Sequence, residues 1–199
     1  MKKSYIPIVA EYFFTDKPLE DFPKDQQMVL ELAKDIILTH GAGGKFVESL
    51  IRYKFKIADV QTIHGWDGMK KQRPVEIKTE TVNGTNLNCM GSFTDNRDCS
   101  MNKSELFQKE KPLFYSVGVS DKTAKCIYVM ETDIGKLPKD AKLFEALSVK
   151  APRVSLTHWV DYKNAYKIVY KNFPLAMQHE SDMSRKLFGV LNPQPTLDV

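Results

Sequence analysis

The stretch Trp66-Asp67-Gly68-Met69-Lys70-Lys71-Gln72-Arg73-Pro74-Val75-Glu76-Ile77-Lys78-Thr79-Glu80 decides how this chain is read. From Arg73 to Val82 the residues suit a strand, whose side chains alternate between its two faces. Val75, Ile77, Thr79 and Thr81 then share one face, and Glu76, Lys78 and Glu80 share the other. A carboxylate and an ammonium two residues apart on a strand stand roughly 6.5 Å apart along it, near enough to act on one phosphate and its metal ion. Asp67, across a short basic turn over Met69–Gln72, is placed to supply a second acid.

Working outward, the β-branched and aromatic residues between Phe55 and Asp67 predict a preceding strand that closes a hairpin. Upstream, Lys24–Thr39 predicts a helix with Val29, Leu32, Ala33, Ile36 and Ile37 near one face, behind an irregular lead containing Pro18, Asp21 and Pro23. Gly41–Gly44 breaks that helix. A second helix over Lys45–Tyr53 carries Phe46, Val47, Leu50 and Ile51 as an apolar stripe with Glu48 at its edge. Downstream, Asn83–Lys103 is rich in Gly, Asn, Ser and Asp and reads as a long loop of the kind that often carries function. A short helix over Ser104–Glu110 follows, then a second hairpin, Leu113–Val119 with Lys125–Met130, apolar enough for the middle of a sheet. Past Pro138 the expected elements are a helix over Asp140–Leu147, an extended Arg153–Trp159, a helix over Asp161–Tyr170 and a tail with Pro193 and Pro195.

At 199 residues, 42% hydrophobic and 27% charged, the chain has the size and composition of one domain with a real core. No apolar run approaches the roughly 20 residues that cross a bilayer. Met1–Pro7 is soon followed by Glu11 and Asp16, without the apolar stretch of a signal peptide. Cys89, Cys99 and Cys126 are scattered, with no C-x-x-C pair, which argues against a disulfide framework or structural zinc and fits a reducing cytoplasm. A net charge of +4 permits a nucleic-acid partner without arguing for one.

A helix bearing Glu48, a strand ending near Asp67, and a strand carrying Val75-Glu76-Ile77-Lys78 together resemble the PD-(D/E)xK nuclease superfamily, the restriction-endonuclease-like fold. The resemblance covers Lys24–Val82 well and Leu113–Glu131 loosely. It implies an α/β fold with a mixed central β-sheet flanked by α-helices and the active site at one end of the first hairpin. The expectation is one nuclease domain over 1–199, with a catalytic core over about 24–135 and a helical or mixed extension over 136–199. By the same resemblance Asp67 and Glu76 bind Mg²⁺ with help from the main-chain carbonyl of Ile77. Lys78 orients the attacking water or stabilises the charged phosphate, and Glu48 is an outer or second-metal acid. Mg²⁺ takes hard oxygen ligands and keeps several waters, so two carboxylates suffice, and a nearby lysine stabilises added negative charge. There are two departures from the family pattern: Trp66 stands where a proline is expected before the aspartate, and only eight residues separate Asp67 from Glu76, which demands a tight hairpin.

Asp59 is the alternative metal ligand if the hairpin register differs, Glu80 continues the charged face, and His64 is a strand residue near the site. Gly41–Lys45 fails the phosphate-loop spacing. For double-stranded DNA, Lys70, Lys71 and Arg73 are the expected phosphate contacts, and Asn96 and Arg97 in the long loop the expected base readers. Tyr162, Tyr166 and Tyr170, beside Lys163, Lys167 and Lys171, predict an aromatic stripe flanked by a basic one on a single helix. The expected activity is that of a Mg²⁺-dependent type II restriction endonuclease, a homodimer because cutting both strands is easiest about a two-fold axis. Its rivals are a structure-selective repair, recombination or phage nuclease, a catalytically inactive DNA-binding subunit, and a carboxylate-pair sugar hydrolase.

Overall fold

A computed structural model of the chain describes residues 5–39, 44–59, 65–82, 91–92, 103–149 and 153–177. In chain order the helices are α1 (Ile6–Phe13), α2 (Lys24–Thr39), α3 (Lys45–Phe55), α4 (Lys103–Glu110), α5 (Lys142–Leu147) and α6 (Phe173–Met177). The strands are β1 (Gly68–Lys70), β2 (Arg73–Val82), β3 (Gly91–Ser92), β4 (Leu113–Ser120), β5 (Cys126–Asp133), β6 (Arg153–Val154) and β7 (Tyr166–Lys171). Five of these make an open sheet in the order β1-β2-β4-β5-β7, while β3 and β6 pair with each other. Only β2 and β4 run parallel, so the sheet is mixed and is flanked by helices.

Side-chain alternation on the strands sorts the core into two layers. Val75 and Ile77 of β2, with Tyr115, Val117 and Val119 of β4, pack under α1, α2 and α3. The opposite face takes Phe114 and Met130 together with Leu106 and Phe107 of α4 and Phe144 of α5. Glu76 and Lys78 lie on this second face, opposite Phe114 and Ser116 in register, as the strand period predicts. Gly118 of β4 leaves room for the Tyr128 ring, since a Cβ there would sit 2.3 Å from a ring carbon.

Several expected elements are corrected. Among the described residues between Phe55 and Asp67 there is no strand, and α3 closes in a Schellman motif. Lys56 turns left-handed at φ 54°, and the Ile57 amide donates to the Arg52 carbonyl at 2.9 Å. Ala58 then makes a single bridge to Met69, and residues 60–64 lie outside the described residues. The hairpin turn is confined to Lys71 and Gln72, both at positive φ, which is the two-residue turn that matches strand twist. Met69 and Lys70 belong to β1, and this tightness is how eight intervening residues suffice.

The expected helix over Asp161–Tyr170 is a short 3-10 turn followed by β7. Recurrence every four residues satisfies the helical period approximately and the strand period as a multiple of two, and the β-branched Ile168-Val169 favours the strand. A register shift opposite Val129/Met130 sends Tyr166 and Ile168 to one core and Val169 and Tyr170 to the other. The expected aromatic stripe is therefore split between two layers. Likewise Arg153–Trp159 is extended only at β6 before a 3-10 turn, α5 begins at Lys142, and the lead ahead of Lys24 contains α1, started by Pro7 in its first turn. On α2 the buried residues are Leu30, Ala33 and Ile37, while Leu32 is exposed. The described part of the Asn83–Lys103 loop is β3 and the start of α4; Asn96, Arg97, His64 and the tail lie outside the described residues. No helix among the described residues is long and apolar enough to cross a membrane.

Candidate active site

The site is built where β1 begins. The Asp67 amide donates to the Val75 carbonyl at 2.9 Å, and the Asp67 side chain accepts from the Ile77 amide through Oδ2 at 2.7 Å. The carboxylate thus caps the edge of β2 just before the first residue of β1. Within a strand the N–H and C=O of one residue point to the same edge, so the Ile77 carbonyl lies on the edge that Asp67 occupies. Gly68 is required next, because a Cβ would come within 2.6 Å of Ile57 Cγ2 and 2.7 Å of the Ala58 carbonyl. On α3, Arg52 Nη1 donates to the Asp67 carbonyl at 3.0 Å. Glu48 lies one turn before Arg52, on the same stripe of the helix, which brings it to the same end of the sheet.

On β2 the Lys78 ammonium meets Glu76 Oε1 at 2.6 Å. Glu76 is buried at 6% exposure. Burial raises its pKa to about 7, with the Asp67 charge adding to the rise and Lys78 and Lys103 opposing it. Burial also raises Asp67, against the Ile77 amide and the charges of Lys78, Arg52 and Lys103. Glu48 is raised by burial and by Asp67, although Lys78, Arg52 and Lys45 pull the other way. For Lys78, burial acts against the charge, but Glu76, Asp67 and Glu48 outweigh it and hold the ammonium protonated. Glu48, Asp67 and Glu76 each feel the Lys78 charge, so the structure brings these four residues together. Glu76, at 6% exposure, is therefore not part of a solvated strand face, and acids raised by burial beside a lysine make this end of the sheet the candidate site.

The other expected residues separate from this group. Asp59 is exposed and pairs loosely with Arg52 at 3.8 Å. Glu80 lies two residues further along β2, opposite Gly118. Lys70 reaches to the opposite face of the sheet, where its ammonium lies 2.6 Å from Tyr115 Oη and 2.9 Å from Glu131 Oε2. Arg73 forms a two-pronged pair with Asp133, at 2.9 Å and 2.6 Å. Lys71, at the tip of the turn, is exposed.

Three residues join the site that the sequence did not single out. Arg52 fixes the Asp67 backbone. Lys103, the first residue of α4, acts on both Asp67 and Glu76, and its ammonium lies 6.0 Å from the Trp66 ring centre. Trp66 itself is the third: its indole N–H donates to Glu110 Oε2 at 2.7 Å and its ring packs 5.3 Å from Phe107. The residue that departs from the family pattern thus spans the length of α4 and fixes that helix beside Asp67. The only sequence signals were the end of the long loop at Lys103 and the unusual Trp66.

Asp67 and Glu76 offer hard carboxylate oxygens, the Ile77 carbonyl lies on the same edge, and the acids carry mutual repulsion that a cation would relieve. That donor set fits Mg²⁺, which takes one or two carboxylates and keeps its waters. Among the described residues no group of three His, Cys, Asp or Glu side chains is arranged to hold a metal, so the set does not suit an ion that needs a full protein cage. No family model matches the chain, and neither does any curated protein or solved structure.

Proposed function

We propose that this protein is a Mg²⁺-dependent nuclease that hydrolyses DNA phosphodiester bonds, with Asp67, Glu76 and Lys78 as its chemical centre. The observation that carries this is the Glu76–Lys78 pair at 2.6 Å, buried on β2 beside an aspartate anchored to the same strand. Asp67 and Glu76, with the Ile77 carbonyl, would hold the cation, and Glu48 would add an outer acid. A divalent ion bound there supplies a lowered pKa for an attacking water and neutralises charge on the phosphate. Lys78, held protonated by three acids, is positioned to stabilise the negative charge that grows on the phosphoryl oxygens and to orient water. Lys103 adds a second cation on the same side, and Arg52 and Trp66 keep Asp67 in place. Within the restriction-endonuclease-like reading the substrate is double-stranded DNA with a short symmetric site, cut by a homodimer in the cytoplasm.

The test is cleavage of plasmid, linear, branched and single-stranded DNA in Mg²⁺ or EDTA, with the ends mapped. Glu76→Gln and Lys78→Ala are each expected to abolish Mg²⁺-dependent cutting while binding persists. Retained cutting by either variant refutes the proposal. Discrete plasmid bands identify a sequence-specific enzyme, and cutting confined to branched or single-stranded DNA a structure-selective one.

A further inference from the structure

We infer that a basic groove at the far end of α4 binds the phosphodiester backbone of a nucleic acid flanking the candidate site. This deepens the nuclease reading and rests on it. The groove has a volume of about 740 Å³, and Lys109, Lys111 and Lys139 stand on its lips. All three are exposed, and among the described residues none of them is ion-paired. Glu105 is the one acid that lines it, so the lining is net positive. The nearby Asp133 is already held by Arg73. The floor is apolar, made of Ile134, Leu137 and Phe144, each buried. A charged cleft over a low-dielectric floor focuses its field outward, which strengthens attraction for a polyanion over that of the same lysines on a flat surface.

The position relative to the acids selects the ligand. α4 begins at Lys103, next to Asp67 and Glu76, and ends at the groove with Lys109 and Glu110. At 1.5 Å per residue, Lys103 and Lys109 are about 9 Å apart along the helix. One strand of duplex DNA advances about 3.4 Å per nucleotide, so a backbone reaching from the acids to the groove spans at least about three nucleotides. Of the basic residues of the β1–β2 hairpin, Lys70 and Arg73 are paired within the protein, which leaves Lys71 alone at the tip against three lysines at the groove.

The test uses full-length protein and two fluorescent probes, a duplex and a single strand of random sequence, with binding followed by anisotropy in EDTA across a salt series. The variant is Lys109→Gln/Lys111→Gln/Lys139→Gln, and the matched control is Lys24→Gln/Lys34→Gln/Lys122→Gln. The groove variant is expected to bind at least about tenfold more weakly near 0.1 M salt, with a slope of log affinity against log salt shallower by about 2 to 3, at close to one unit per lost phosphate contact. The control is expected to match the wild type. Loss on the duplex alone or on both probes distinguishes which form of the backbone the groove takes. Equal affinity and slope for groove variant and wild type, equal losses in groove variant and control, or no binding by the wild type each overturn the inference. Because binding is read without turnover, the outcome is separable from the nuclease proposal: cutting that needs Glu76 and Lys78 with unaltered groove-variant binding sinks only the groove, while groove-dependent binding without cutting sinks only the chemistry.

Discussion

Replacing Glu131 with glutamine should uncouple a network that spans four strands. Tyr115, Glu131 and Lys167 stand side by side in register on β4, β5 and β7. The Tyr115 hydroxyl donates to Glu131 Oε2, Lys70 donates to the same oxygen at 2.9 Å, and Lys167 meets Oε1 at 2.9 Å. Burial by itself would raise the Glu131 carboxyl, yet the hydrogen bonds from Tyr115, Lys70 and Lys167 hold it down from an ordinary 4.5 to about 2. At about 1.4 kcal/mol per pKa unit, ionisation in the folded state is favoured by about 3 kcal/mol. Lys167 is 67% exposed, so its share is screened, and about 2–3 kcal/mol is the expected cost of Glu131→Gln at pH 7. Because the folded-state pKa is depressed, this stability is present above about 4.5 and is lost as pH falls through about 2. At pH 3 somewhat less than half of the difference, about 1 kcal/mol, should remain. Urea unfolding of wild type and variant at pH 7, 5 and 3 measures this, since other titrating groups cancel in the difference. A gap below about 0.5 kcal/mol at pH 7, or one as wide at pH 3 as at pH 7, would show that the network does not hold the carboxylate as the geometry requires.

Gly118→Ala puts a Cβ 2.3 Å from the Tyr128 ring and should destabilise by about 2–3 kcal/mol in urea melts, with much of the loss recovered in a Tyr128→Leu background; an unaffected midpoint contradicts the packing. Lys71→Asn with Gln72→Gly relieves two positive-φ positions in the hairpin turn and should stabilise by about 0.5–1 kcal/mol by the same measurement, whereas destabilisation would mean that the turn is of another type. Trp66→Phe keeps an aromatic ring against Phe107 but removes the donor to Glu110, so a loss of about 1–2 kcal/mol is expected, together with slower cleavage if the proposed nuclease activity is present. Wild-type stability in that variant would remove Trp66 from its positioning role.

The parts of the fold that could be read in the sequence were those in which one period dominates. α2 occupies Lys24–Thr39 as expected, and β2 spans Arg73–Val82 with its faces as assigned. The candidate site was legible for the same reason, because the alternation that aims Val75 and Ile77 into the core fixes where Glu76 and Lys78 point. What stayed hidden was set by single backbone events. The left-handed Lys56 ends α3 and leaves Ala58 with a single bridge to Met69, and the shift opposite Val129/Met130 rotates Tyr170 away from Tyr166. Neither leaves a periodic trace. Arg52, Trp66 and Lys103 were missed as site residues because each acts across the fold, on a backbone carbonyl, a helix and a pair of acids that are distant in sequence.

Local density of charge was the weakest guide, and the hairpins explain why. Lys70, Lys71 and Arg73 are adjacent in sequence and were expected to meet one partner together. An antiparallel hairpin instead sends Lys70 to Glu131 and Arg73 to Asp133, since the same register that joins β1 to β2 and β4 to β5 brings these pairs within reach. The reverse holds for the groove. Lys111 and Lys139 are far apart in sequence, yet they flank the β4–β5 hairpin, and the Ile134 amide donating to the Pro112 carbonyl at 3.2 Å closes that hairpin at its base. Chain entering and leaving a hairpin must be neighbours, so charges on the two flanks add their fields while charges at a paired turn are cancelled from within. At the base of the β4–β5 hairpin Lys111 and Lys139 therefore add to Lys109 at the C-terminal end of α4, the helix whose other end stands beside Asp67 and Glu76.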